Sequence, residues 1–452
     1  MSKIILSSLA CLSLAYSVDT FTDIFKEGKT YGNIKYYYIQ TDKQNNQPFK
    51  DSSANANAMG GTLGFKTAAY YGMSGQATFM TTNGFHLENS VDTSILSRDS
   101  GVRLDNGNPS GKIAQESFSV LGEAFINYHD ENLNIKYGRQ ILKTPLINAK
   151  EVRMLPSTVQ GTTIKYTLKD TNFVFGAAYL SAFKQRTSYK FINIIKHTLG
   201  SNTKKITGKH SGNLYMVNMN YDNNHLHASL YDYYAENFLN SWYGKLEYTG
   251  VEGKYIYNLG LEGIVQRSIG NTNEYLAQTD SMTNAKKINA ESISMKSELQ
   301  YEESKFMLGY SYVTSDDTSH DSLVLPWDGT PLYTNMITSN DLFVSNYGKG
   351  LVADSIYIGG TQSFKVAYTQ GYDFTGSEGF KTTLSYMIAD NDKFTKGKQK
   401  DFNIVLSYQY DTHLSIALKG IFVKNNTSAS ANGTISQLDD FQQYRVIANY
   451  KF

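Results

Sequence analysis

Cysteine is almost missing from this 452-residue chain: Cys11 is the only one. It sits in a stretch that reads as a leader, so after cleavage no thiol remains for disulfide or thiolate chemistry. Proline is scarce at 6, and no Pro-, Ser- or charge-rich linker divides the chain, which argues for one domain despite a length that could hold two or three. Beyond the leader, no apolar run approaches the roughly 18 residues of a membrane helix. Neither sign of charge dominates, with 42 basic and 41 acidic residues, and no nucleic-acid partner is expected. The Gly-x-Ser-x-Gly, His-Glu-x-x-His and P-loop patterns do not occur. His225 and His227 could supply two metal ligands, but a site wants three or four. No cofactor is expected, and no enzymatic activity.

Aromatic residues are abundant. They make up 13% of the chain, with 35 tyrosines, yet mean hydropathy is −0.39. Met1-Ser-Lys followed by an apolar run from Ile4 to Leu14 and small residues around Tyr16 reads as a secretory signal, cleaved before Val18. Ser8 stands where a lipobox wants an aliphatic residue, which argues against lipidation of Cys11. The expected division is a signal over 1–17 and a single domain over 18–452.

The last twelve residues alternate. Phe452, Tyr450, Ala448, Val446 and Tyr444 share one strand face, while Lys451, Asn449, Ile447 and Arg445 share the other. An exported, polar, tyrosine-rich chain with such strands fits an all-β transmembrane barrel, antiparallel and up-and-down. Its lipid face is apolar and tipped with aromatics, and its inner face is polar. About 18 alternating segments can be counted, from 32–40 to the closing strand. Short turns alternate with long connections near 42–57, 82–116, 140–162, 183–212, 267–287, 314–361 and 424–440. A barrel that wide keeps an aqueous lumen.

Extending the closing strand's parity backwards sorts the charged residues. Lys35, Lys66, Lys136, Lys165, Lys245, Lys254, Lys296, Lys305, Lys365, Lys381, Lys419, Arg445 and Lys451 fall inward, against Glu123, Glu247, Glu262, Glu298 and Asp401. A neutral chain is thus expected to hold a basic channel, which concentrates anions. A register error of one residue would flip a whole strand. The third long connection, 140–162, is too apolar for an exposed loop. Folding inward would bury Leu142, Leu146, Ile147, Val152, Met154 and Leu155 and carry Lys143, Lys150, Glu151 and Arg153 across the bore.

Two motifs bring a family into view. Arg139-x-x-x-Lys143-x-Pro145-Leu146, Asn148-Ala149 and Arg153-Met-Leu-Pro156-x-Thr158-x-x-Gly161 resemble the constriction-loop region of the OprD family of outer-membrane porins. Leu325-Pro-Trp-Asp-Gly-Thr-Pro-Leu-Tyr-Thr-Asn335, inside the long external loop 314–361, is similar to a second run of that family. The resemblance implies an 18-stranded barrel of monomeric fold, sometimes loosely trimeric, in a bacterial outer membrane, with an inward third loop. It also implies passive passage of small hydrophilic solutes carrying a carboxylate along a ladder of basic side chains. By match, Arg139, Lys143, Lys150 and Arg153 would lie at or near the constriction. Arg139 has lipid-face parity, so it must lie past the end of its strand to serve the pore. Arginine is scarce here and lysine dominates, so selectivity is expected to be looser. The partners so implied are solutes, outer-membrane lipid and lipopolysaccharide, and the barrel-assembly machinery through Phe452. Rival readings are an unselective general porin of the same build, a surface adhesin with an incidental pore, and a barrel hydrolase.

Overall fold

The computed structural model describes residues 20–44, 52–84, 104–105, 108–109, 117–149, 153–274, 287–316, 318–337, 355–373, 376–391, 397–427 and 440–452. The expected signal over 1–17 lies outside the described residues, as do Lys150, Glu151 and Val152.

Eighteen strands build the wall. The first nine are β1 (Lys29–Gln44), β2 (Ser52–Lys66), β3 (Met73–Gly84), β4 (Phe118–His129), β5 (Leu133–Gln140), β6 (Thr158–Thr167), β7 (Phe173–Lys184), β8 (Leu214–Asp222) and β9 (Leu226–Ala235). The rest are β10 (Leu239–Glu252), β11 (Tyr255–Ser268), β12 (Asn289–Tyr301), β13 (Ser304–Val313), β14 (Thr361–Gly371), β15 (Phe380–Asn391), β16 (Gly397–Gln409), β17 (Leu414–Thr427) and β18 (Asp440–Lys451). Each pairs antiparallel with the next, and β18 returns to β1 with Asn33 opposite Lys451 and Gln44 opposite Asp440. Closure removes the sheet edges, which a membrane would leave unsatisfied. A short extra strand, Ile192–Asn193, adds to the end of β7.

The alternation sets the two faces. On β18, Tyr444, Tyr450 and the following Phe452 are exposed while Arg445 is only 1% exposed, the parity expected from the sequence. Around the wall, exposed Ile34, Leu63, Phe79, Trp242, Leu261, Leu308 and Phe364 continue the outward belt. An apolar surface of that extent belongs in lipid. Strict alternation fails twice. Leu121 is 41% and Ile126 55% exposed although they stand five residues apart. An extra residue in β4 opposite Thr78/Phe79 of β3 restores both outward positions and keeps Glu123 and Phe125 inside. A second irregularity lies between β6 and β7 at Gln160/Gly161.

Several strands outrun their expected limits. β1 and β2 take up most of 42–57, because Thr41, Asp42, Asn55 and Asn57 continue the ladder although they are polar. β9 and β10 are joined by a tight turn over 236–238. Within 183–212 lie two helices, α1 (Ile194–Leu199) and α2 (Thr203–Thr207). Asn193 caps α1 by accepting the Lys196 N–H at 3.1 Å.

Toward the long-loop end the lumen has its own hydrophobic core. Leu146 and Ile147 of the third connection join Ile194, Ile195, Leu323, Trp327 and Tyr357 against Leu180, Phe183, Tyr233, Tyr243 and Ile264 of β7–β11. Met154 and Leu155, from the far limb of the same connection, pack instead on Tyr37, Ala58, Met80 and Phe118 of β1–β4. The described limbs of the third external loop are therefore folded inward, against two different stretches of the wall. Burial of each large apolar side chain stabilises that packing by roughly 1.5–3 kcal/mol. Apolar side chains thus gather on the inner face near the long-loop end, among buried polar ones such as Lys184 and Gln266.

Candidate functional site

The two motif segments meet inside the barrel. Ile147 bridges Trp327 and Asp328, and the Asn148 N–H donates to the Trp327 carbonyl at 3.0 Å. The Trp327 indole N–H donates to the Ile194 carbonyl at 3.2 Å, tying in α1. Position 329 must be glycine: a Cβ there would stand 2.5 Å from Leu146 Cα. Asp328, at φ 61°, accepts from Ser157 Oγ at 2.5 Å and from Arg186 Nη1 at 2.5 Å.

Around this junction basic side chains converge. Arg153 is 4%, Arg186 6% and Arg445 1% exposed. Arg445 donates through Nε to Gln443 Oε1 at 2.7 Å and through Nη1 to the Tyr37 hydroxyl at 3.3 Å. Lys35 Nζ donates to the Arg153 carbonyl, and Lys184 Nζ to the Pro156 carbonyl at 3.0 Å. Burial first, and the Arg186 guanidinium second, pull the Arg153 guanidinium down to about 10, while Tyr37 and Asp328 oppose the shift. Arg153 is therefore charged at neutral pH. Lys419 stands directly opposite Arg445 across β17 and β18.

The opposite wall differs. On β10–β13, Glu247 takes Lys245 at 3.3 Å and Lys296 at 2.9 Å, and Lys305 pairs with Glu298 at 3.2 Å. Glu247 also accepts from the loop hydroxyl of Tyr333 at 2.8 Å, and Glu262 from Tyr243 at 2.8 Å. Lys296, expected as a basic pore residue, thus has its charge answered. Carboxylates thus meet the lysines of this wall, as Asp328 meets Arg186 at the junction.

The remaining candidates are placed as follows. Lys365 faces inward and donates to the Asn335 carbonyl at 2.5 Å. Lys381 has inward parity near the short-turn end of β15, two strands from Lys419. Lys66, Lys136 and Lys165 gather at the short-turn end of the lumen. Lys143 is exposed on the third connection; Lys150 and Glu151 lie outside the described residues. Arg139 is a correction. β5 runs on to Gln140, so Arg139 stays within the strand and keeps its outward face. Its Cζ lies 4.4 Å from the Phe191 ring centre and Nη1 donates to the Leu121 carbonyl at 3.3 Å. It does not line the constriction, and Gln140 holds the inward position beside it, accepting from Thr163 at 2.8 Å. His225 and His227 are held separately, by the Thr249 carbonyl at 3.0 Å and by Ser229 at 3.2 Å.

Sequence reasoning missed Arg186, Lys184 and Asp328. Asp328 stands inside the second motif, and its place between Trp and Gly was the signal. Arg186 lies two residues past β7 in a segment read as an external loop, and no periodicity marks it.

Comparison with known proteins agrees with this geometry. A family profile described as outer membrane porin, OprD family, matches residues 23–452. No curated protein matches the sequence. Among solved structures, Pseudomonas aeruginosa OccK9 (OpdG) is similar at 15% identity and TM-score 0.70, covering 95% of this chain and 99% of that one. P. aeruginosa OpdK with vanillate is similar at 16% identity and TM-score 0.67, covering 95% and 99%. P. aeruginosa OccK2 (OpdF) in complex with glucuronate is similar at 13% identity and TM-score 0.65, again covering 95% and 99%. The closed 18-stranded barrel, the inward third loop and a family match over nearly the whole chain lead to one conclusion: this chain belongs to the OprD family of outer-membrane porins.

Proposed function

We propose that this porin passes small hydrophilic solutes by passive diffusion and favours those carrying a carboxylate. The observation that carries the reading is the convergence of Arg153, Arg186 and Arg445, with Lys35 and Lys184, where the third loop folds inward. The guanidiniums are nine-tenths covered, so they act on a passing anion through their field. That field is strong because the loops and wall exclude water. Vanillate and glucuronate, the ligands in two similar structures, are both carboxylates, which supports the same class here. Arg153, Arg186, Arg445, Lys35, Lys419 and Lys184 are the selectivity residues, and no cofactor takes part. Residues 1–17 are removed on export. Outer-membrane lipid, lipopolysaccharide and the barrel-assembly machinery, through Phe452, are the partners, and the porin is a monomer or a loose homotrimer.

Liposome swelling tests the solute class. Uptake of benzoate is expected to exceed uptake of benzamide severalfold, and Arg153→Gln with Arg445→Gln is expected to erase the difference. Equal uptake by the unaltered porin would leave a general, unselective channel.

A further inference from the structure

Between Asp170 and Asp222 the chain holds no acidic residue. This stretch forms β7, then α1 and α2 at the long-loop end, then β8. Lys184 and Arg186 are buried at the loop junction, whereas Lys190, Lys196, Lys204 and Lys205 stand exposed. None of these four forms an ion pair among the described residues, although Lys209 beside them meets Glu236 at 3.1 Å. The other inward-folded stretch, 318–337, has the opposite character, with Asp321 and Asp328 and no lysine or arginine.

The basic patch adjoins the lipid-facing belt. Tyr179, Tyr215 and Tyr234 form an exposed row across β7, β8 and β9, with successive ring centres 5.6 and 6.3 Å apart. The Tyr179 hydroxyl donates to Asn213 Oδ1 at 3.2 Å, and the Asn213 N–H donates at 3.1 Å to Glu236, the carboxylate that also holds Lys209. Asn193, the cap of α1, accepts the Gly212 N–H at 3.1 Å. Both helices are thus tied to the top of the tyrosine row, the level at which acyl chains give way to headgroups. Arg139 is a second, independent sign. It faces outward one residue from the long-loop end of β5, and it is met by the Phe191 ring, the Leu121 carbonyl and Gln160, none of them a carboxylate. A guanidinium on a lipid face is costly unless its head finds an anion or water at the interface. Phe191 belongs to the same basic stretch, next to Lys190.

We propose that Arg139, Lys190, Lys196, Lys204 and Lys205 form a docking surface for the phosphorylated glucosamine headgroup of lipopolysaccharide in the outer leaflet. Charge complementarity and continuity with the lipid belt both favour this occupant. Its acyl chains would lie along the tyrosine row while its phosphates meet the cations above. Arginine takes a phosphate through two parallel N–H donors, and the lysines add compact point charges. The surface makes specific the lipopolysaccharide partner proposed above and rests on that reading, but it uses none of the arginines inside the pore.

Native mass spectrometry of the detergent-solubilised porin with bisphosphoryl lipid A, phosphate-free lipid A and phosphatidylglycerol tests it. The unaltered porin is expected to hold bisphosphoryl lipid A about tenfold or more tighter than the phosphate-free form. The triple variant Lys196→Gln, Lys204→Gln, Lys205→Gln is expected to shrink that ratio severalfold, and Arg139→Gln alone to shrink it by less. The first comparison needs no variant, so it decides the matter even where a variant does not assemble. Equal binding of the two lipid A forms, or a triple variant that binds like the unaltered porin, would overturn the proposal. Phosphatidylglycerol held as tightly as bisphosphoryl lipid A would overturn the assignment to lipopolysaccharide. Retention of neither lipid A form would refute the lipopolysaccharide partner itself, whereas binding that ignores the phosphates refutes only this surface.

Discussion

Arg153 and Arg139 carry the same charge and stand fourteen residues apart in the sequence, on opposite sides of the same wall. Arg153 is buried on the inward side, where the third loop packs on the wall. Arg139 lies outside, over Phe191, where a guanidinium keeps its stem on apolar surface and its head near water. Arg153→Gln is expected to lower the anion-to-cation permeability ratio by about two- to threefold, and Arg139→Gln to leave it unchanged; zero-current potentials in a salt gradient check both. Arg153 is held down to about 10, so it stays charged below that value. The contribution of Arg153 to anion preference is accordingly expected to hold up to about pH 8 and to fall as pH rises toward 10. Asp328 anchors the junction through Arg186 and Ser157. Replacing it with Ala strands a buried guanidinium, at a cost of about 3–5 kcal/mol to that junction. Greater open-channel noise and faster proteolysis within 141–157 are the readouts.

At the scale of elements, the third connection works as a strut. Leu146 and Ile147 hold one end against β7–β11, and Met154 and Leu155 hold the other against β1–β4. Deleting 142–155 is expected to raise single-channel conductance about twofold or more, since the constriction sets the limit; an unchanged conductance would show that the strut does not narrow the pore. This level was partly legible in the sequence. Period-two alternation, counted back from Phe452, placed Lys35, Lys419 and Arg445 inside because parity survives over a whole strand. The apolar character of 140–162 announced an inward fold. What the pattern could not show was where strands end and where it slips. β5 runs on to Gln140 and keeps Arg139 outside, and the extra residue in β4 shifts parity between Leu121 and Ile126. Arg186 joins the site through a loop whose inward course depends on contacts with Trp327 and Asp328, distant in sequence, and Lys184, the last residue of β7, joins it through the Pro156 carbonyl. Such long-range contacts leave no local period to read.

Across the whole molecule, a chain of 42 basic and 41 acidic residues divides its charge by position. Lysines on β10–β13 meet carboxylates on the same wall, while buried arginines gather on the side formed by β18, β1 and the third loop. Net composition therefore says little about selectivity, and the arrangement of pairs says a great deal. We expect this asymmetry to govern permeation. Planar-bilayer recording of the purified porin under a KCl gradient is the direct measurement: the account predicts a reversal potential of the sign set by chloride, moving toward zero when Arg153 and Arg445 are both replaced by Gln. A reversal potential of the sign set by potassium would contradict it.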